Sequence, residues 1–101
     1  VPISATLPAL DGERIFGVID RLIETETEII AVDYKTNRIV PSSPSQTPDG
    51  LSRQMAAYRD ALGLIYPNRR IRVLLLWTKT GTTTELPDDI LDAALNAVTT
   101  P

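Results

Sequence analysis

The chain has no cysteine and no histidine. Without thiols there are no disulfides, iron–sulfur clusters or cysteine-ligated zinc. Without imidazoles there is no serine–histidine or cysteine–histidine catalysis and no histidine metal site. Carboxylates are then the only strong metal-binding side chains, and they favour hard ions such as magnesium or manganese. No stretch approaches the run of about 18 apolar residues that a membrane span needs, and no basic segment precedes a short apolar run as in a signal peptide. A soluble, intracellular protein is the expectation. Positive charge is scarce too: ten Lys and Arg against thirteen Asp and Glu leave a formal net charge of -3. A domain that grips nucleic acid by bulk electrostatics is usually basic.

What is present is 101 residues, 43% of them hydrophobic, enough for one small domain with one core and too few for two. The sequence begins at Val1 without a methionine and opens directly in an extended apolar pattern. This predicts a single domain over residues 1–101 cut from a longer polypeptide.

Pro2–Leu7 is the first expected strand, followed by a turn through Pro8, Asp11 and Gly12. Residues 14–24, rich in β-branched side chains (Ile15, Val18, Ile19, Ile23), read as one strand, and residues 28–36 (Ile29, Ile30, Val32) as the next. The short polar link Thr25, Glu26, Thr27 joins these two as a hairpin. Residues 37–50 turn to proline, serine and threonine and read as a surface loop. Leu51, Met55, Tyr58, Leu62 and Ile65 then recur at helical spacing, with Asp49 or Ser52 as the cap and Pro67 as the stop. Residues 73–77 form an unbroken apolar run, expected to be a strand buried on both faces at the centre of the sheet. After a turn at Gly81, Pro87 suits a first helical position with Asp88 and Asp89 in the first turn. Ile90, Leu91, Ala94, Leu95 and Val98 supply the buried stripe of that last helix. The order of three strands, helix, strand and helix predicts an α/β fold, a mixed sheet flanked by helices.

The acids stand out against this pattern. Side chains alternate along a strand, so Asp20 is expected on the apolar face of Phe16, Val18 and Leu22, an expensive place for a carboxylate. On the next strand Ile29, Ala31, Asp33 and Lys35 share a face. If the hairpin turns between Glu26 and Thr27, residues whose numbers sum to 53 stand opposite one another and Asp20 faces Asp33. Directly opposed acids repel. A divalent cation between them resolves the repulsion, and Lys35 adds a second positive charge to the same pocket. Two carboxylates on a metal beside a lysine suit phosphodiester hydrolysis, because the cation polarises the phosphate and acidifies water while the lysine stabilises developing negative charge.

Gly17-Val18-Ile19-Asp20-Arg21 followed by Asp33-Tyr34-Lys35-Thr36 resembles the PD-(D/E)xK nuclease motif in its RecB-like form. Gln54-Met55-Ala56-Ala57-Tyr58 resembles that family's QxxxY element. Residues 51–67, 73–78 and Glu85-Leu86-Pro87 extend the resemblance to the C-terminal nuclease domain of the AddA subunit of bacterial AddAB helicase-nucleases. The resemblance implies a restriction-endonuclease-like core lacking its N-terminal helix, and a magnesium- or manganese-dependent DNA exonuclease of double-strand-break repair in the bacterial cytoplasm. It implies Asp20, Asp33 and the Tyr34 carbonyl as metal ligands, Lys35 as catalytic, and Gln54 and Tyr58 as contacts that orient the site or DNA. The implied partners are DNA, an AddB-like subunit and an N-terminal helicase motor of the same polypeptide, with no membrane. No G-x-x-x-x-G-K-[ST] sequence occurs here, so ATP use belongs to that motor. The further ligand that relatives carry on a preceding helix, often histidine, has no counterpart in these residues.

Two other readings stay open: a non-catalytic nuclease-like module for docking or DNA guiding, and a stand-alone nuclease of the same superfamily. Tyr58 continues its helix's apolar stripe and would serve equally as core. Arg53, Arg59, Arg69, Arg70 and Arg72 could line a DNA path or simply be solvated surface, and Glu24, Glu26 and Glu28 read as a solvated turn.

Overall fold

The structure is a computed structural model that describes residues 2–7, 13–37 and 40–99. The expected turn through Pro8, Asp11 and Gly12 lies outside the described residues, as do the side chains of Ile15, Phe16 and Val98. Among the described residues, six strands and two α-helices follow in the order β1 (Pro2–Leu7), β2 (Glu13–Val18), β3 (Arg21–Glu24), β4 (Glu28–Lys35), α1 (Asp49–Ile65), β5 (Arg70–Trp77), β6 (Thr82–Glu85) and α2 (Asp88–Thr99). Antiparallel β1 and β2 make a two-stranded sheet. The other four strands form a mixed sheet in the order β3-β4-β5-β6, parallel only between β4 and β5. A parallel pair needs a long crossover, and α1 lies within the one that joins these strands.

The single strand expected over residues 14–24 is two. The chain leaves the small sheet at Val18 and enters the large one at Arg21, so Ile19 and Asp20 belong to neither ladder. This break re-phases the side-chain alternation. Ile19 is fully buried, whereas Val18 is 63% exposed and Asp20 faces solvent. The expected burial of Asp20 in an apolar row therefore does not occur; the acid inside the fold is Asp33, at 7% exposure.

One face of the large sheet carries the core. Ile29 and Ala31 of β4 and Val73, Leu75 and Trp77 of β5 are fully buried, and Met55, Ala56, Ala61 and Leu62 of α1 join them in one cluster. Leu74 and Leu76 point to the other face and are only half-buried, so β5 is not buried on both sides as its unbroken apolar run suggested. The strand is nonetheless central, with β4 and β6 as neighbours. Strand β6 was not expected. Its threonines are β-branched and favour a strand, and Gly81, at φ +69°, allows the tight turn into it.

Helix α1 starts one residue after Pro48 with no side-chain cap; neither Asp49 nor Ser52 caps it, and the Pro48 carbonyl accepts the Leu51 and Ser52 amides. It ends at Ile65, before the residue that precedes Pro67. Ile65 is 48% exposed and leaves the expected stripe. Pro87 sits just outside α2, where its carbonyl accepts the amides of Ile90 and Leu91. The loop before α1 holds a single 3-10 turn at Pro44–Gln46 and a buried Thr47.

Arg59 ties the two helices together. Its guanidinium binds Asp60 on α1 and both Asp88 (3.3 Å) and Asp92 (2.6 Å) on α2. Replacing Arg59 with alanine is expected to cost about 1–2 kcal/mol, the lower end for charged hydrogen bonds because Asp88 and Asp92 stay hydrated. A urea midpoint equal to that of the wild type contradicts this.

Candidate active site

The β3–β4 hairpin has the register predicted from its link. Arg21 pairs Val32, Leu22 pairs Ala31, Ile23 pairs Ile30 and Glu24 pairs Ile29, each pair of numbers summing to 53. The turn is held by Thr25, whose hydroxyl accepts the amides of Thr27 (3.3 Å) and Glu28 (2.9 Å). Continued by one residue, this register brings Asp20 opposite Asp33. The Asp20 carboxylate accepts the Tyr34 amide at 2.8 Å and lies within hydrogen-bonding reach of Asp33. The loose step that removed Asp20 from the ladder leaves its carboxylate folded back over the end of β4.

Lys35, on the same face of β4 as Asp33, places Nζ 2.9 Å from the Asp33 carboxylate. The ends of the parallel strands are stitched together at this point. Lys35 pairs with Trp77, and both the amide (2.9 Å) and the hydroxyl (3.1 Å) of Thr78 donate to the Lys35 carbonyl. Thr78 escaped the sequence reading; its signal was its place directly after an apolar strand run.

The two acids are electrostatically unlike. Asp33 is raised above the ordinary carboxylate range, first by burial and then by the facing Asp20, against the pull of Lys35. Asp20 is lowered by its hydrogen bonds to Asp33 and to the Tyr34 amide. Two carboxylates therefore share a partly buried site in which a full pair of negative charges is unfavourable, and a cation suits that need. Among the described residues no third acid joins them to make a larger metal-binding group. A pair of carboxylates and a backbone carbonyl fits a hard divalent ion that takes its remaining oxygens from water or substrate.

The structure thus brings Asp20, Asp33, Tyr34 and Lys35 together at one end of the sheet. Gln54 and Tyr58 are joined to each other, Gln54 Nε2 donating to the Tyr58 hydroxyl at 3.2 Å. No hydrogen bond links that pair to the acids or to Lys35. Tyr58 is buried in the core cluster while Gln54 is exposed, so Tyr58 also does the packing work its spacing suggested. Of the arginines considered for a DNA path, Arg59, Arg69 and Arg72 are held by carboxylates. Among the described residues, Arg53 and Arg70 make no ion pair. Glu24 and Glu28, read as merely solvated, are the partners of Arg69 and Arg72.

Fold and site together define a restriction-endonuclease-like α/β core with two acids and a lysine at the end of its mixed sheet. The family model of the PD-(D/E)XK nuclease superfamily matches residues 3–97, and the chain belongs to that superfamily. Its members are nucleases that typically use divalent metal ions. A search of the curated proteins and one of the solved structures each found no match. No helix among the described residues is long and apolar enough to cross a membrane.

Proposed function

We propose that this chain is a magnesium-dependent DNA exonuclease domain, with manganese as the alternative ion, of an ATP-dependent helicase-nuclease in double-strand-break repair. The observation that carries the nuclease chemistry is the meeting of Asp20 and Asp33 beside Lys35 in a chain of this superfamily. The assignment to a helicase-nuclease is supported by the RecB-like and AddA-like resemblance of the three motifs. In this reading an N-terminal helicase motor and an AddB-like subunit are the partners, and the cytoplasm is the setting.

Asp20, Asp33 and the Tyr34 carbonyl would hold the ion. When bound there, it supplies Lewis acidity and a more acidic water. Lys35, fixed through its own carbonyl by Thr78, holds its ammonium where negative charge grows on the phosphate. Asp20 keeps its carboxylate aimed inward through the Tyr34 amide. Gln54 and Tyr58 orient the site or the DNA strand from the helix that packs on the same sheet.

The test is degradation of end-labelled linear DNA by the longer polypeptide, with and without magnesium, beside a covalently closed circle. An exonuclease shortens the linear DNA only with metal and leaves the circle intact. Cutting of both points to a stand-alone type of endonuclease. Binding of DNA without metal-dependent cutting of either establishes the non-catalytic module instead.

A further inference from the structure

An acidic domain must still hold a polyanion, and the distribution of its unpaired cations shows where. Among the cations whose side chains are described, Arg21, Arg53, Arg70 and Lys79 make no ion pair, whereas Lys35, Arg59, Arg69 and Arg72 are tied to carboxylates. Arg53 is on α1 and Arg70 is at the far end of β5, paired in register with Glu28. Arg21 and Lys79 are at the end that holds Asp33 and Lys35.

Arg21 heads β3, next in sequence to Asp20 and opposite Val32. Lys79 lies two residues beyond Trp77, the register partner of Lys35, on the turn between β5 and β6. Both are exposed. In the strand order β3-β4-β5-β6 they stand on either side of β4, about 10 Å apart across the strands, and Lys79 lies roughly another 10 Å or more further along them, because Arg21 is level with Val32 and Lys79 is beyond the level of Lys35. The turn bearing Lys79 is rigidly placed. Thr78 is bonded to the Lys35 carbonyl, the amides of Thr80 and Gly81 donate to the Trp77 carbonyl, and the hydroxyls of Thr80 and Thr82 meet at 2.6 Å. From Thr78 to Thr84 the sequence contains no acid, only threonines, one glycine and the lysine. Cations and hydroxyls free of carboxylates are the groups that position phosphates. Open α/β sheets take their ligands outside the carboxyl ends of parallel strands, which here are the ends of β4 and β5.

We propose that Arg21 and Lys79 are substrate-positioning residues that bind the backbone phosphates on either side of the one held at Asp20, Asp33 and Lys35. The DNA strand then crosses the end of the sheet obliquely to β4, from the start of β3 to the β5–β6 turn. This rests on the nuclease reading above and adds the direction of the strand and the residues that set it. It also bears on how a chain of net charge -3 accepts DNA, since two of its four unpaired described cations, Arg21 and Lys79, stand at the end of the sheet that holds the site.

The experiment is fluorescence anisotropy with a labelled single-stranded oligonucleotide in EDTA over a salt series, using the longer polypeptide. The proteins compared are wild type, Arg21→Ala, Lys79→Ala, Lys79→Arg and Arg70→Ala. Arg21→Ala and Lys79→Ala should each weaken binding roughly threefold to tenfold and lower the salt slope by about 1. Lys79→Arg should retain both, and Arg70→Ala, the same charge loss at the far end, should change neither. If either Arg21→Ala or Lys79→Ala matches Arg70→Ala while the wild type still cuts linear DNA with magnesium, the strand path is overturned and the nuclease reading stands. If the wild type neither binds nor cuts, both fall.

Discussion

Replacing Lys35 with alanine is expected to lower the single-turnover rate of metal-dependent DNA cleavage by roughly 10²- to 10³-fold, the scale of losing one preorganised charge donor. The same substitution should leave magnesium binding intact or slightly tighter. The reason is in the geometry: Nζ lies 2.9 Å from Asp33, so the lysine both serves the reaction and competes with a cation for that carboxylate. A residue needed only to hold the fold would show neither the retained binding nor the selective loss of rate. The check is to measure the cleavage rate and the magnesium-induced rise in melting temperature on one preparation. A Lys35→Ala protein that cleaves within about threefold of the wild type removes the lysine from the mechanism, since the smallest effect expected from a catalytic proton or charge donor is about 10²-fold.

The second large effect is a reversal of stability order at Asp33. Its carboxyl is raised by burial first and by the facing Asp20 second, so the folded state holds its proton more tightly than the unfolded state does. Ionisation therefore withdraws stability as the pH climbs from the ordinary carboxylate value to the raised one, and the loss persists at neutral pH. Asparagine at this position stays neutral, and its amide can still donate to Asp20. Without metal at neutral pH, Asp33→Asn should melt above the wild type, by up to about 5 °C on the scale of an opposed like-charge pair. The gap should close as the pH falls through the raised Asp33 value towards the ordinary one. Saturating magnesium should invert the order, because only the wild type gains binding free energy, about 2.7 kcal/mol at a hundred times the dissociation constant. Cleavage by the variant should be lost. A metal-free variant less stable than the wild type at neutral pH would falsify the electrostatic account of the site. An identical magnesium response in both proteins removes Asp33 from the metal ligands.

These effects share a cause with the fold's economy of charge. Among the described residues Asp33 is the buried acid, and several of the other charged groups are neutralised in pairs such as Arg72 with Glu85 and Arg69 with Glu24. Glu85 is lowered by that arginine, so it contributes stability above the ordinary glutamate range that is lost as the pH falls through its lowered value. The contribution is small because the pair is partly hydrated.

Several features were legible in the amino-acid order alone. The link Thr25-Glu26-Thr27 between two β-branched runs determined the hairpin, and the hairpin's register placed Asp20 against Asp33 through simple two-residue periodicity. The spacing of Met55, Tyr58 and Leu62 determined α1 and its buried face, and Pro67 its end. The Asp33-Tyr34-Lys35 triplet placed an acid and a lysine on one face because strands alternate. All of these depend on local geometry, which sequence specifies within a few residues.

The tertiary structure decided what depends on distant partners. It divided residues 14–24 between two sheets, because ladder pairing with β1 on one side and β4 on the other cannot continue through one straight strand. That division left Asp20 exposed and Asp33 buried, and so set which carboxyl is raised and which is lowered. It placed Thr78 and Lys79 beside Lys35, residues 43 and 44 positions apart from it or nearly so in sequence and joined only by the parallel pairing of β4 with β5. It also chose which arginines are free, since an arginine is neutralised by whatever carboxylate the fold brings near, and neither periodicity nor composition encodes that proximity.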